Sequence, residues 1–186
     1  MNIFEHFACH THLPIRLDTV CDQAMEYGYV HAFKFMAAPI DLRYLSGMFL
    51  MRETVANGDI RRIADIYYSD QIVDEAYRRL VCCKEILHAL DDDKSSAQSQ
   101  RAISNLIDQI VIPLDADVPP SVASDHFGIL HALMVLLPRD ALNILRPLHR
   151  DNVLSVEDIA TIAAIPTNWT RFALSDAWES VIESIT

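Results

Sequence analysis

Along this chain of 186 residues, apolar positions recur mostly at steps of three and four, which places them on one face of an α-helix. The segment 69–90 shows this periodicity most clearly. Its apolar positions are Val73, Ala76, Leu80, Cys83, Leu87 and Leu90. Only four glycines occur, and the eight prolines fall mostly between such segments rather than inside them. The pattern therefore predicts an all-α protein.

Three helices are predicted in the first part of the chain. They span about residues 18–37, 39–58 and 59–68. The second would end at Asn57-Gly58, because glycine commonly supplies the left-handed conformation that terminates a helix. Asp59 would then cap the third helix. No strand pattern of comparable length is recognised anywhere in the sequence.

Further helices are predicted on either side of an exposed, acidic and serine-rich loop near residues 91–99. They occupy the segment ending near residue 112 and the segments 121–137, 139–145, 155–165 and 175–184. Ser155 and Asp158 resemble a capping box with Asp in place of the usual Glu or Gln. Short connections and unequal helix lengths favour one domain over residues 1–186, a compact orthogonal or irregular bundle of about seven to nine helices.

The charge of the chain narrows the choice of partners. The net charge is −11, from 15 Lys and Arg against 26 Asp and Glu, and neither half of the chain is basic. Binding to a nucleic-acid backbone requires a positive face, and binding to an anionic membrane requires a polybasic segment. We therefore expect no direct binding to nucleic acid or membrane, whereas a basic protein partner is favoured.

Composition bears on the surroundings of the protein. Hydrophobic residues make up 51% of the chain and charged residues 22%, an apolar surplus that binding to a partner or self-association would bury. The sequence starts without the features of a secretory signal, and its four cysteines suggest no disulfide framework. The apolar run 127–137 is too short to cross a hydrocarbon core of about 30 Å. A cytoplasmic protein is therefore expected.

The densest set of metal-capable side chains lies near the N-terminus. It comprises Glu5, His6, Cys9, His10 and His12. In a helix, His6 and His10 would share one face, with Cys9 adjacent. A tetrahedral zinc ion would still need a fourth ligand, such as His12 or Cys21. Because the spacing matches no recognised zinc framework, we predict no metal and no cofactor. A metal-dependent hydrolase or metal-binding enzyme built on this cluster is the alternative function.

The other notable histidines are predicted to be structural. Glu85-x-x-His88 is an element that di-iron bundles place on two helices, but the sequence has no second copy of it, so His88 is expected at the edge of the core. His131 lies in an apolar segment, where a buried histidine with a satisfied ring is expected. No catalytic residue is predicted, because no nucleophile elbow, phosphate-binding loop or zincin motif is present.

Two further patterns, a basic cluster and a helix-turn-helix outline, resemble binding elements but lack the side chains that binding would need. The one local concentration of basic residues consists of Arg139, Arg146, His149 and Arg150. Asp140 and Asp151 stand next to them, which favours ion pairs within the protein. Residues 155–178 have the outline of a helix-turn-helix, but Arg171 is the only basic residue there, and a recognition helix needs basic and amide side chains.

Three large aromatic side chains lie close together near the C-terminus: Trp169, Phe172 and Trp178. Core burial is the common fate of such residues, and a groove for a partner protein is the alternative. The negative charge, the apolar surplus and the lack of a catalytic motif favour a non-enzymatic cytoplasmic protein-binding module. Adaptor, chaperone-like accessory, immunity and inhibitor proteins fit this description, and an acidic mimic of nucleic acid is a special case of it.

Overall fold

The computed structural model describes residues 2–27, 30–56, 58–90 and 120–185. Within these ranges the chain forms eight helices and three strands. In chain order they are α1 (Ile3–Ala8), α2 (Leu17–Glu26), β1 (Ala32–Ala38), β2 (Gly47–Ala56), β3 (Asp59–Ser69), α3 (Glu75–His88), α4 (Pro120–Leu136), α5 (Arg139–Arg150), α6 (Val156–Ala163), α7 (Thr167–Leu174) and α8 (Asp176–Ile185). The predicted loop near residues 91–99 and the predicted helix ending near residue 112 lie outside the described residues.

The prediction of an all-α protein is wrong, because part of the chain forms a three-stranded mixed sheet with the order β1-β3-β2. β1 runs parallel to β3, and β2 runs antiparallel to β3. β1 occupies the second half of the helix predicted over residues 18–37, of which α2 is the helical part. A turn followed by β2 replaces the helix predicted over residues 39–58, and β3 replaces the helix predicted over residues 59–68.

Apolar residues on both faces of β3 explain why its spacing resembles that of a helix. Ile60, Ile63, Ala64 and Tyr67 stand at positions i, i+3, i+4 and i+7. This is the template of one helical face, but in a strand the same positions alternate between two faces of a sheet. Ala64 and Ile66 are fully buried on one face, and Tyr67 is half-buried on the other. A strand with two apolar faces therefore satisfies the helical period.

Gly58 lies between two strands and does not end a helix, and Asn57 lies outside the described residues. Ala56 pairs with Asp59, so only two residues connect β2 to β3. Gly58 has a φ of +87°, a conformation that two-residue hairpins require and that glycine adopts without a steric penalty. The same left-handed freedom serves a helix end, so the glycine alone is compatible with both structures. Asp59, predicted to cap a helix, is the first residue of β3.

The helices predicted after residue 69 are confirmed where the structure describes them. α3 begins later than predicted, and Asp74 caps it by accepting a hydrogen bond from the backbone N–H of Ala76 at 2.9 Å. Ser155 and Asp158 form the predicted capping box. Ser155 Oγ accepts from the backbone N–H of Asp158 at 3.0 Å, and Asp158 Oδ2 accepts from the backbone N–H of Ser155 at 2.9 Å. Aspartate thus performs the usual role of Glu or Gln.

α3 lies at the centre of the core. It packs against α2, β2, β3 and α4. Residues 80–87 are all buried, as expected for a helix that has neighbours on every side. Large side chains of the surrounding core are Phe7, Ile66, Leu80, Ile86, Leu133 and Trp178.

Two glycines permit close packing against α3. A Cβ at Gly47 of β2 would lie 2.7 Å from Val81 Cγ1. A Cβ at Gly128 of α4 would lie 2.4 Å from His88 Nε2 and 2.6 Å from Lys84 Cγ. These distances are well below ordinary van der Waals contact between heavy atoms, so β2 and α4 approach α3 more closely than any side chain would allow.

A buried ion pair lies on α3 between these two glycines. Lys84 is 1% exposed and Glu85 is 3% exposed, and Lys84 Nζ lies 2.8 Å from Glu85 Oε1. Burial lowers the pKa of Lys84, and the neighbouring Glu85 carboxylate opposes that shift. Each charge is tolerated in the core because the other is beside it.

Across the described ranges, no single helix is both long enough and apolar enough to cross a membrane. Taken together, the segments Gly128–Leu136 and Arg139–Arg150 have the length and composition of a membrane span, but the chain bends by 78° between them.

Candidate protein-binding surface

The sheet has one face packed on helices and another that is partly open to solvent. Residues directly opposite one another on paired strands point to the same face, so the register assigns each side chain. Phe33, Phe49 and Ile66 lie on the inner face and belong to the core or pack against it. The rows of the opposite face are Ala32, Ile63 and Arg52; Lys34, Asp65 and Leu50; and Met36, Tyr67 and Met48. We call these nine residues the outer face.

Apolar side chains dominate the outer face. Leu50 is 50% exposed and Met48 is 36% exposed, and Met36, Ile63 and Tyr67 are half-buried. Soluble proteins usually cover contiguous apolar surface, and a patch that stays exposed often binds a partner. The outer face is therefore a candidate interaction surface.

The single acid of the outer face is neutralised within it. Asp65 accepts two hydrogen bonds from Arg52, from Nε to Oδ2 at 2.8 Å and from Nη2 to Oδ1 at 3.1 Å. The Arg52 guanidinium lowers the pKa of Asp65, so the carboxylate is ionised at neutral pH. This bidentate pair leaves Lys34 as the remaining charge of the outer face.

β2 forms one edge of the sheet. Within the described residues it pairs with β3 alone, so the main-chain groups along its other side have no strand partner there. The strand has ten residues, and it exposes Leu50 (50%), Met51 (40%) and Val55 (76%). A long edge strand with exposed apolar side chains is a template for the addition of another strand.

The strands are less acidic than the chain as a whole. They carry four basic residues (Lys34, Arg52, Arg61 and Arg62) and three acidic ones (Glu53, Asp59 and Asp65), a net charge of +1. Since the whole chain carries −11, the residues outside the strands carry −12. The sheet therefore lacks the net negative charge of the whole chain and exposes apolar side chains.

The predicted aromatic cluster is present, but most of its contacts are internal. The ring centroids of Trp169 and Phe172 are 6.3 Å apart and those of Phe172 and Trp178 are 5.6 Å apart, both in edge-to-face geometry. Trp178 is fully buried, whereas Trp169 and Phe172 are half-buried. A partner-binding role for these residues stays a prediction, and only Trp169 and Phe172 present side-chain surface to a partner.

The N-terminal cluster is only partly brought together. The rings of His6 and His10 lie 5.2 Å apart, and the exposed Cys9 thiol donates to the backbone oxygen of His6 at 3.4 Å. Glu5 caps α1 by accepting a hydrogen bond from the backbone N–H of Asn2 at 2.9 Å. In the part of the chain that the structure describes, no group of three or more His, Cys, Asp or Glu side chains is placed to hold a metal ion. The expectation of no metal stays a prediction.

Glu85 and His88 lie one turn apart on α3, and His88 is half-buried, as expected for the edge of the core. Lys84 supplies the positive charge that Glu85 faces, so this donor set does not favour a metal cation. His131, predicted to be buried, is half-buried and lies 4.9 Å from the ring of Phe4. It lines a cavity of about 200 Å³ with Asn2, Ile3, Phe4, Tyr27, Leu87 and Leu90.

Contacts within the protein use part of the basic cluster. Arg146 forms an ion pair with Glu179, and His149 Nδ1 lies 3.0 Å from the backbone oxygen of Leu154. The exposed members of the cluster are Arg139 and Arg150. The prediction that these residues pair internally is therefore confirmed for Arg139, whose Nε lies 3.8 Å from Asp140 Oδ1, and for Arg146, whose partner Glu179 is distant in sequence.

α6 and α7 pack against each other as the helix-turn-helix outline suggests, and Ala164 between them has a left-handed φ of +52°. The basic residue of this unit, Arg171, lies 3.7 Å from Glu157. The expectation that the protein does not bind nucleic acid directly stays a prediction.

Sequence reasoning missed the outer face and the side of β2 that has no strand partner among the described residues, which we call the free edge of β2. Both follow from the sheet. Asn57-Gly58 between Val55 and Ile60 is the signal that could have indicated them, since this dipeptide between apolar positions is typical of a hairpin. No family model, no curated protein and no solved structure matches this chain. Geometry and charge are the grounds on which its function is inferred.

Proposed function

We propose that this protein is a non-enzymatic, cytoplasmic protein-binding module whose binding surface is the outer face together with the free edge of β2. The observation that carries the proposal is the exposure of Leu50, Met51 and Val55 along a strand that, in the described ranges, pairs on one side only. Four free cysteines, three of them buried, fit a reducing compartment.

Strand addition is the mode of binding that fits this surface. Main-chain hydrogen bonds to the edge supply affinity, and side chains that alternate between the two faces supply specificity. Side chains of the added strand on the outer side would contact Met48 and Leu50. Those on the other side would contact Met51. Both contacts remove apolar surface from water, which is favourable.

The charge of the protein bears on the choice of partner. The residues outside the strands carry −12, and a charge of this size attracts basic proteins over a distance set by the ionic strength. A basic partner would therefore be drawn toward the protein by the residues outside the strands and held by the sheet. Raising the salt concentration should weaken its binding, mainly by slowing association.

A pair of matched variants tests the proposal. Leu50 on β2 is 50% exposed and Ile144 on α5 is 51% exposed, so Leu50→Lys and Ile144→Lys place the same charge at sites of equal exposure. A protein captured from cytosol by the wild type is purified, and its Kd for each variant is measured by calorimetry. We expect Leu50→Lys to raise Kd about tenfold or more, because strand addition desolvates this position.

Ile144→Lys should leave the Kd of the purified partner unchanged. The circular dichroism spectrum and the urea midpoint of both variants establish that each is folded. Equal affinity of the wild type and Leu50→Lys for the partner would contradict a binding surface on the sheet.

A further inference from the structure

We infer that the free edge of β2 pairs with the same edge of a second copy of this chain, which joins two three-stranded sheets into one sheet of six strands. This inference rests on the proposed function and adds a second copy of the chain as a partner of the same edge. The whole chain carries −11, so two copies repel each other through most of their surfaces. The strands carry +1 and expose apolar side chains along β2, so two copies meet there with little electrostatic repulsion.

Symmetry restricts how two β2 strands pair. A two-fold axis perpendicular to the sheet makes them antiparallel and lets each face of one sheet continue into the same face of the other. Residues that lie opposite each other must point to the same face of the sheet. In a two-fold pair this holds only when the axis passes beside one residue, which then lies opposite the same residue of the second copy. Nine residues of each strand overlap when that residue is Met51 or Arg52, and at most seven overlap when it is any other.

Charge selects between these two registers. An axis at Arg52 places two arginines directly opposite each other, and like charges in that position destabilise a sheet. An axis at Met51 places Met51 opposite Met51, Leu50 opposite Arg52, and Phe49 opposite Glu53, with no like charges directly opposite. Met51 and Leu50 are 40% and 50% exposed, so this register also removes apolar surface from water at its centre. The pairing is therefore centred on Met51.

Cross-linking tests this register directly. In a Cys9→Ser background, Met51→Cys places two thiols directly opposite each other, with Cα atoms about 4.5–5.5 Å apart, a separation that a disulfide spans. Thr54→Cys is the matched control, because in the same register its two copies lie about 20 Å apart along the strands. The other cysteines, Cys21, Cys82 and Cys83, are buried. Mild oxidation should give a covalent dimer with Met51→Cys and none with Thr54→Cys.

Sedimentation of the unmodified protein supplies a second measurement. The wild type should show a monomer–dimer equilibrium. Leu50→Lys should raise the dimer Kd about tenfold. The lysine of each copy would lie opposite Arg52 of the other copy, so the dimer would contain two pairs of like charges. Ile144→Lys, which lies on α5, should leave the dimer Kd unchanged.

A wild type that stays monomeric at about 100 µM, a concentration that reveals even weak association, would overturn the inference. Cross-linking that is equally efficient at positions 51 and 54 would also overturn it. If that monomer still binds another protein and loses it on Leu50→Lys, the proposed function stands and the dimer alone is wrong. If binding to every protein is independent of Leu50, both proposals fail.

Discussion

At the scale of single residues, the lack of a side chain at Gly128 sets the distance between α4 and α3. Gly128→Ala would put a methyl group 2.4 Å from His88 Nε2 and 2.6 Å from Lys84 Cγ. Alanine normally stabilises a helix by about 1 kcal/mol over glycine, whereas overpacking costs about 1–3 kcal/mol. Because the stem of Lys84 is buried and cannot move into solvent, we expect a net loss of about 1 kcal/mol in the free energy of unfolding by urea. A more stable variant would contradict the close approach.

The buried thiols predict how stability depends on pH. Burial raises the pKa of Cys21 and Cys82 to about 12 and also raises the pKa of Cys83. Such a group stabilises the folded protein fully at pH values below the pKa that it has in the unfolded protein, here 9.0. The contribution is lost as the pH rises from that value toward the pKa of the folded protein. Urea unfolding should therefore show that ionisation of the Cys83 thiol in the unfolded protein lowers stability by about 1 kcal/mol at pH 10.

The matched variant for this pH dependence is Cys83→Ala. Lys84, whose pKa is lowered by burial, adds a slope of opposite sign, because its unfolded form binds more protons above the folded pKa. That slope is common to the wild type and the variant, so the difference between them isolates the thiol. A difference in unfolding free energy that is the same at pH 8 and pH 10 would show that Cys83 does not titrate above its ordinary pKa.

At the scale of elements, the sequence predicts local structure well where the signal itself is local. α3 repeats apolar residues every three or four positions, and the box of Ser155 and Asp158 is a local signal, so both could be predicted. β3 could not, because Ile60 and Ala64 on one face and Ile63 and Tyr67 on the other combine into a helical period. The strands that pair with β3 determine that it is a strand. The pairing of β1 with β3, such as Ala32 with Ile63, joins residues that are distant in sequence, so a local pattern does not contain it.

At the hairpin between β2 and β3, backbone conformation alone should determine how a substitution of Gly58 changes the free energy of unfolding. Gly58 has a φ of +87°, and a Cβ added there would meet no atom within 4 Å. Gly58→Ala should therefore lose about 1 kcal/mol of unfolding free energy purely from the left-handed conformation. Gly58→Asn should lose less, because asparagine tolerates this region better. Urea denaturation of both variants measures the difference, and equal stability of the wild type and Gly58→Ala would contradict a left-handed residue at this turn.

The candidate surface also depends on long-range pairing and could not be predicted from a local pattern. A sequence shows that Leu50 and Met51 are apolar, and burial in a helix bundle would account for both. Only the position of β2 at the edge of the sheet leaves them half exposed. Because strand order depends on pairing between β1 and β3, the edge is a property of the fold and not of β2 itself.

At the scale of the whole molecule, the net negative charge lies outside the sheet. The strands carry +1 and the rest of the chain carries −12. An acidic protein with a nearly neutral, apolar edge has two ways to bind another protein. The acidic surface attracts basic proteins from a distance, and the edge holds whatever strand reaches it. A second copy uses only the edge, whereas a basic partner uses both.

These two kinds of partner predict opposite responses to salt. Two copies that each carry −11 repel outside the contact, and the Debye length falls from about 10 Å at 0.1 M salt to about 3 Å at 1 M. Added salt should therefore strengthen the dimer, and we expect its Kd to fall about threefold between about 0.05 and 0.5 M NaCl, as measured by sedimentation equilibrium. The Kd of a basic partner should rise over the same range. A dimer Kd that rises with salt would mean that opposite charges hold the two copies together, which a pairing centred on Met51 does not provide.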